Sequence, residues 1–269
     1  MQQTGDILVV DDEQVILDAV KKICIAEGFR VACAAEAHEA QRLLGGGTYL
    51  VMLCDIMMPH MDGFQLLEIA RRQASLMPVV MMTGFSTVEN AVRSLRDGAI
   101  DFVPKPFTSD ELVTAVRRAV RLRGYREELQ KSPAGTGDTT LVVVPCPPKY
   151  FRLGYASWVS LQEGGTALIG VTHLFTRVIG SAGSIELQGS NSEVVQGTAC
   201  AQVRTTDGLS HPVLAPVSGR IVETNEAIAV SASAIEKDPY FSGWLYRVIP
   251  SDVDYEVPQL TPCSSGDLY

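Results

Sequence analysis

The sequence has no apolar run near the roughly 20 residues that a membrane-spanning helix needs. It has no excess of positive charge either. Its 22 Lys and Arg stand against 31 Asp and Glu, for a net charge of −9. That balance argues against a basic surface for nucleic acid. Met1 to Asp6 carries neither a basic nor an apolar leader region, so no secretory signal is expected. The six cysteines (Cys24, Cys33, Cys54, Cys146, Cys200 and Cys263) form no Cys-x-x-Cys pair. The expectation is reduced thiols in a cytoplasmic protein. What is present is ordinary for a folded chain: 269 residues, 46% hydrophobic and 20% charged. That length suits about two domains, each with its own core. Both halves are acidic. Residues 1–130 hold 14 basic and 18 acidic residues, and residues 131–269 hold 8 and 13.

The first 125 residues alternate apolar strands with helix-like periodicity. Expected strands are Ile7–Val10, Phe29–Ala34, Tyr49–Cys54, Pro78–Met82 and Phe102–Val103. Between them lie helices striped by Ile16, Ala19, Val20 and Ile23, by Ala37–Leu44 before Gly45-Gly46-Gly47, by Phe64–Arg72 and by Val88–Arg96. A last helix is striped by Leu112, Ala115, Val116 and Ala119. Continuously apolar strands joined by helices predict a doubly wound five-stranded parallel sheet, covered on both faces. Residues 126–148 read as a helix end and a linker, with Gln130–Thr140 small, polar and Gly/Pro-bearing. The texture then changes to short Val, Ile, Leu and Thr runs punctuated by Gly and Ser, an all-β pattern over 149–256. Residues 257–269 are expected to be a disordered tail.

Three acids and a lysine converge in the first half. Asp11-Asp12 follow the first strand, Asp55 the third, and Lys105 the fifth. The carboxyl ends of parallel strands share one edge, where open α/β sheets bind ligands. One aspartate after a strand is ordinarily a helix N-cap; three converging on one lysine point to a site. Clustered carboxylates with room for water suit Mg²⁺. A carboxylate beside a metal and an ammonium can accept a phosphoryl group. Thr83 supplies a hydroxyl within reach.

These residues carry a resemblance. Val9-Val10-Asp11-Asp12-Glu13, Asp55-Ile56-Met57-Met58-Pro59-His60-Met61-Asp62-Gly63, Met82-Thr83-Gly84 and Val103-Pro104-Lys105-Pro106-Phe107 are similar to the motifs of response-regulator receiver domains. The resemblance implies a flavodoxin-like sheet of order 2-1-3-4-5, the order given for such regulators. It implies Asp55 as phosphoacceptor and a sensor histidine kinase as partner. It implies Mg²⁺ on Asp12, Asp55 and the Met57 carbonyl, with Asp11 acting through water. Thr83 and Lys105 would contact the phosphoryl group, and Phe102 takes the aromatic switch position. Met57 and Phe85 are apolar and flank the approach of water, so slow autodephosphorylation is expected beyond self-phosphorylation from a donor, with no other enzyme activity. Both residues could instead simply pack at the rim. His60 reads as a solvated loop residue. Arg117, Arg118, Arg121, Arg123 and Arg126 on the last helix read as a solvated basic face. The alternative is a homodimer through the fourth helix, fifth strand and fifth helix, a face this family often uses.

The second half excludes common output domains. It contains no Gly-x4-Gly-Lys-Ser/Thr loop and no basic recognition helix. Leu214-Ala215-Pro216-Val217-Ser218-Gly219-Arg220-Ile221-Val222-Glu223, Asp238-Pro239-Tyr240, Gly243-Trp244-Leu245 and Pro250-Ser251-Asp252 resemble the H protein of the glycine cleavage system, a lipoyl-carrier β-sandwich. Trp158-Val159, Ala167–Thr172 and His173–Gly180 fit its earlier strands and short helix. The family carries lipoate on a lysine in a hairpin turn. Here that turn reads Arg204-Thr205-Thr206-Asp207-Gly208-Leu209-Ser210-His211, and no lysine occurs between Lys149 and Lys237. Asp207-Gly208 still suits a tight turn, but no residue in it offers an amine, so no lipoyl lysine and no lipoate are expected. Cys200 and His211 match no ligand spacing and read as a packed thiol and a surface imidazole.

The reading is a response regulator phosphorylated on Asp55 that signals to an unidentified protein partner through a non-lipoylated H-like module, without nucleic acid or membrane. Two alternatives stand beside it. One is a carrier or enzyme component of a glycine-cleavage-like system under phosphorylation control. The other is a phosphate sink with a passive second domain.

Overall fold

Ile7–Val10 is apolar at every position and fully buried, the mark of a central strand covered on both faces. A computed structural model describes residues 5–74, 76–84, 87–131 and 143–265. They form two compact units dividing at residues 137 and 138.

The first unit runs β1 (Ile7–Val10), α1 (Gln14–Ala26), β2 (Val31–Ala34), α2 (Ala37–Gly46), β3 (Val51–Asp55), α3 (Gly63–Gln73), β4 (Val79–Thr83), α4 (Val88–Arg96), β5 (Asp101–Pro104) and α5 (Ser109–Lys131). The strands are all parallel, in the order β2-β1-β3-β4-β5. Val10 pairs with Cys54, Asp55 with Met82 and Thr83 with Pro104. That register brings the strand ends level at one edge.

The structure moves several boundaries. Asp55 is the last residue of β3 rather than the first beyond it, and Thr83 stands at the end of β4. Phe29 lies in the stop that follows α1 rather than in β2: its N–H donates to the Cys24 carbonyl at 3.0 Å, while Gly28 takes φ 87°, a left-handed helix stop. The buried stripe of α1 is Leu17, Val20 and Cys24, with Ala19 exposed. Helix α2 continues through Gly45 and Gly46. Helix α5 runs on to Lys131, past the expected domain end. Residues 132–142, most of the expected linker, lie outside the described residues, as does Phe85.

The arginines of α5 do not form one solvated face. Arg118 is buried and paired with Asp101 of β5. Arg117 pairs with Glu27, and Arg123 reaches Glu127 and the Tyr49 carbonyl. Arg121 is exposed. Most of the stripe fixes α5 to its own unit.

The second unit is mainly antiparallel β. Its strands are β6 (Phe151–Leu153), β7 (Ser157–Leu161), β8 (Ala167–Val171), β9 (Ala182–Leu187), β10 (Glu193–Val194), β11 (Ala199–Thr205), β12 (Ser210–Leu214), β13 (Gly219–Thr224), β14 (Trp244–Pro250) and β15 (Thr261–Pro262). Short helices α6 (His173–Ile179), α7 (Glu226–Val230), α8 (Ala234–Lys237) and α9 (Val253–Glu256) join them. One sheet has the order β10-β13-β14-β8-β7-β6-β15, the other β12-β11-β9. Tyr246 of the larger sheet is fully buried, and its hydroxyl donates to the Cys200 carbonyl of the smaller at 2.8 Å. Trp158 is also fully buried, and its indole N–H donates to the Val171 carbonyl at 2.8 Å.

Two expectations need correction here. Residues 257–265 are not a disordered tail: β15 pairs with β6, flanked by 3-10 turns at Val257–Gln259 and Cys263–Ser265. Pairing with an edge strand satisfies backbone groups that the Pro- and Ser-rich sequence concealed. Residues 266–269 lie outside the described residues. His211 is not a surface imidazole but fully buried on β12, opposite Val203, because alternation along the strand turns it inward. Cys200 is a packed thiol, as expected.

Candidate functional site

The carboxyl edge of the parallel sheet gathers the polar residues of the first unit. The Lys105 ammonium lies 2.7 Å from Asp11 Oδ2 and 3.0 Å from Asp55 Oδ1. Both aspartates are buried. Glu13 reaches the same ammonium at 3.3 Å from an exposed position. The Met57 N–H donates to Asp55 Oδ2 at 3.0 Å, and the Glu13 N–H to Asp11 Oδ1 at 3.1 Å. None of the three aspartates caps a helix. The side-chain cap of α3 comes from Asp62, which forms a reciprocal capping box with Gln65.

Burial pushes the Asp11 and Asp55 carboxyls up, and the adjacent Lys105 pulls them part of the way back. Burial pushes the Lys105 ammonium down, but its hydrogen bonds to Asp11 and Asp55 outweigh this and leave it raised. One ammonium does not balance the carboxylates. Asp11, Asp12 and Asp55 each offer an oxygen, and these lie within 4.8 Å of one another. Hard oxygen donors with uncompensated negative charge, and one exposed member open to water, fit a hydrated divalent cation such as Mg²⁺.

Thr83 is fully buried at the end of β4. Its carbonyl accepts from the Lys105 N–H at 2.7 Å, which ties the ends of β4 and β5 together. Phe102 is partly buried against the apolar layer that includes Met81 and Ala99. Met57 is 55% exposed and stands at the mouth of the site. His60 is exposed, with φ 69°. Two residues given no role in the sequence reading contribute. Glu13 extends the acid cluster, and its signal was its place directly after Asp11-Asp12. Gly63 brings the start of α3 against β3: a Cβ there would lie 2.1 Å from the Asp55 carbonyl oxygen.

In the second unit the expected carrier turn joins β11 to β12. The Gly208 N–H donates to the Thr205 carbonyl at 2.9 Å, with Gly208 at φ 84°. The Thr205 hydroxyl donates to Asp207. The turn is closed by its own polar groups and contains no amine.

Comparison with known proteins agrees with this geometry. Residues 7–117 match the response regulator receiver domain family, and residues 149–262 match the glycine cleavage H-protein family. The chain joins a receiver domain to a glycine cleavage H-protein domain. Regulatory protein AtoC of Escherichia coli is 39% identical over 48% of this chain and 28% of its own length. The DNA-binding transcriptional regulator NtrC of Escherichia coli is 34% identical over 65% of this chain and 39% of its own. The chain thus spans well under half the length of these curated relatives. Among solved structures, the receiver domain of NtrX from Brucella abortus is 38% identical, covering 43% of this chain and 98% of its own, at a TM-score of 0.42. A glycine cleavage system H protein from Mycobacterium marinum is 28% identical, covering 44% of this chain and 93% of its own, at 0.39.

Proposed function

We propose that this chain is a two-component response regulator, phosphorylated on Asp55 by a partner histidine kinase with Mg²⁺, whose output is protein contact through a non-lipoylated H-like unit. The observation that carries the reading is Lys105 bridging two buried aspartates at the carboxyl edge of the sheet.

The receiver chemistry follows from the residues. An Asp55 oxygen attacks phosphorus. The new O–P bond forms as the P–N bond to the kinase imidazole breaks, and that electron pair goes to nitrogen. The Met57 N–H and the Lys105 ammonium aim the two Asp55 oxygens before reaction. Asp11, Asp12 and Asp55 would hold the cation, which supplies charge neutralisation to the transferring oxygens. Once Asp55 carries the phosphoryl group as an acyl phosphate, Lys105 turns to a phosphoryl oxygen. The Thr83 hydroxyl, at the end of the neighbouring strand β4, turns to another phosphoryl oxygen. Phe102, on the strand beside Thr83, packs into the space vacated. Met57 narrows the path of hydrolytic water and lengthens the lifetime of the phosphorylated state.

The absence of lysine from the β11–β12 turn supports a scaffold without carrier chemistry. The acidic charge of the second half supports a protein partner over DNA.

The test is the intact mass of native protein before and after Mg²⁺ and acetyl phosphate. The expected result is a gain of about 80 Da that is absent from Asp55→Asn, with no lipoyl mass. No adduct from any donor would overturn the switch. A lipoyl mass would restore the carrier reading.

A further inference from the structure

Glu13 stands at the N-cap of α1, yet its side chain does not cap the helix. Its backbone is fixed on both sides. The N–H donates to Asp11 Oδ1 at 3.1 Å, and the carbonyl accepts from the Ile16 and Leu17 N–H groups at 3.0 and 3.1 Å. The carboxylate is spent elsewhere: it accepts a hydrogen bond from the Lys105 ammonium at 3.3 Å, 92 residues away in sequence. An ammonium has three protons, and three carboxylates surround this one, Asp11 at 2.7 Å, Asp55 at 3.0 Å and Glu13 at 3.3 Å. A phosphoryl oxygen that reaches Lys105 must displace one of them. Asp11 and Asp55 are buried, and a buried carboxylate stripped of its cation is costly. The Glu13 side chain is 61% exposed, so water can take over its oxygen, and such exposed pairs are weakly held. Glu13 is the partner that yields.

We propose that Glu13 is a specificity-determining residue that selects among small phosphodonors by their charge, because it competes with the incoming phosphoryl group for Lys105. The inference rests on the receiver reading given above. Asp11, Asp12, Asp55 and Glu13 set four carboxylates against one ammonium. A donor must bring its phosphoryl oxygens into that field, and the repulsion grows with the donor's own charge. The transfer itself is the same for each donor. An Asp55 oxygen attacks phosphorus and a new O–P bond forms. With acetyl phosphate the P–O bond to the acetyl group breaks, and the electron pair leaves on acetate. With phosphoramidate, whose nitrogen is protonated at pH 7, the P–N bond breaks and ammonia leaves with the pair. The donors differ in charge: at pH 7 acetyl phosphate is mainly a dianion and phosphoramidate mainly a monoanion. Removing the charge at position 13 therefore helps acetyl phosphate more. Because Glu13 faces solvent, salt should screen this difference.

The test follows the Asp55 adduct by intact mass over time, in the full-length protein with saturating Mg²⁺ and either donor. At low salt Glu13→Gln should be phosphorylated about 5-fold faster than the unmodified chain by acetyl phosphate, and about 2-fold faster by phosphoramidate. The gap between donors should close toward about 0.5 M salt, where the screening length is only a few ångströms. Glu13→Asp keeps the charge on a shorter stem and should keep the donor ratio of the unmodified chain. Both changes fall on an exposed side chain that caps nothing, so the fold should tolerate them. Equal gains with the two donors, no gain with either, a gap that salt leaves unchanged, or Glu13→Asp behaving like Glu13→Gln would each overturn the proposal while Asp55 is still labelled. No adduct on the unmodified chain from either donor would instead overturn the receiver reading, and this inference with it.

Discussion

At the residue scale, the site depends on two positions that have little freedom to change. Lys105 is the cation between the buried Asp11 and Asp55. Lys105→Met leaves two buried carboxylates without it, a loss that ordinarily costs about 3–5 kcal/mol. Urea denaturation in chelator should show the receiver transition weakened by about that much, and added Mg²⁺ should restore part of it. Unchanged stability would mean that water already compensates the acids. Gly63 is the second position. A methyl group there would meet the Asp55 carbonyl oxygen and the Ile56 Cα, both backbone atoms that cannot swing aside. Gly63→Ala should therefore cost about 1–3 kcal/mol and slow phosphorylation by acetyl phosphate through displacement of Asp55. The Asp62-Gly63 pair was legible as part of a motif. The reason for its glycine was not, because close approach between elements leaves no mark in local sequence. Asp11, Asp55 and Lys105 were legible because strand ends of a parallel sheet share an edge. His211 was not, since a histidine beside a Gly-rich turn reads as exposed until the register of β12 is known.

At the element scale, the segment entering the second unit is tied down by a ring of three hydrogen bonds. The Val144 N–H donates to His173 Nδ1 at 2.7 Å, the His173 N–H to the Tyr240 hydroxyl at 3.1 Å, and that hydroxyl to the Val144 carbonyl at 3.1 Å. The first bond requires an unprotonated Nδ1. Burial, with the nearby Arg177 charge, lowers the His173 pKa below 6.5. The folded state then binds this proton less readily than the unfolded chain. The stability it contributes is present above about 6.5 and is lost as pH falls through the lowered folded value. Amide exchange at Val144 should accelerate between pH 7.5 and 5.5 by more than intrinsic chemistry allows. His173→Phe should remove that pH dependence while leaving exchange in β7 and β8 unchanged. Equal pH dependence in the variant would show that His173 does not hold the segment. The strands of this unit were legible as an all-β texture, and α6 was found by its motif. The final strand was missed because two residues, Thr261 and Pro262, carry no periodicity; only pairing with β6 makes them a strand.

At the scale of the whole molecule, each half carries its own core and its own family match, so unfolding should show two transitions rather than one. Mg²⁺ binds the folded receiver alone in this reading. At about 100 times its dissociation constant it should stabilise that transition by about 2.7 kcal/mol and leave the other in place. The same independence separates the regulator from the phosphate sink. A ligand or modification shifts a conformational equilibrium only through differential interaction with its two states. If phosphorylation of Asp55 controls the H-like unit, part of the change must reach residues 143–265. Hydrogen exchange read by mass spectrometry, with and without acetyl phosphate, follows both halves in one sample. The regulator reading expects altered protection at β4, β5 and α5 together with peptides of the second unit, by factors of about 5–150 if the coupling is of ordinary size. Asp55→Asn should abolish both changes. Altered protection confined to residues 5–131 would overturn the coupled output and leave a receiver that drains its kinase while the second unit stands unaffected.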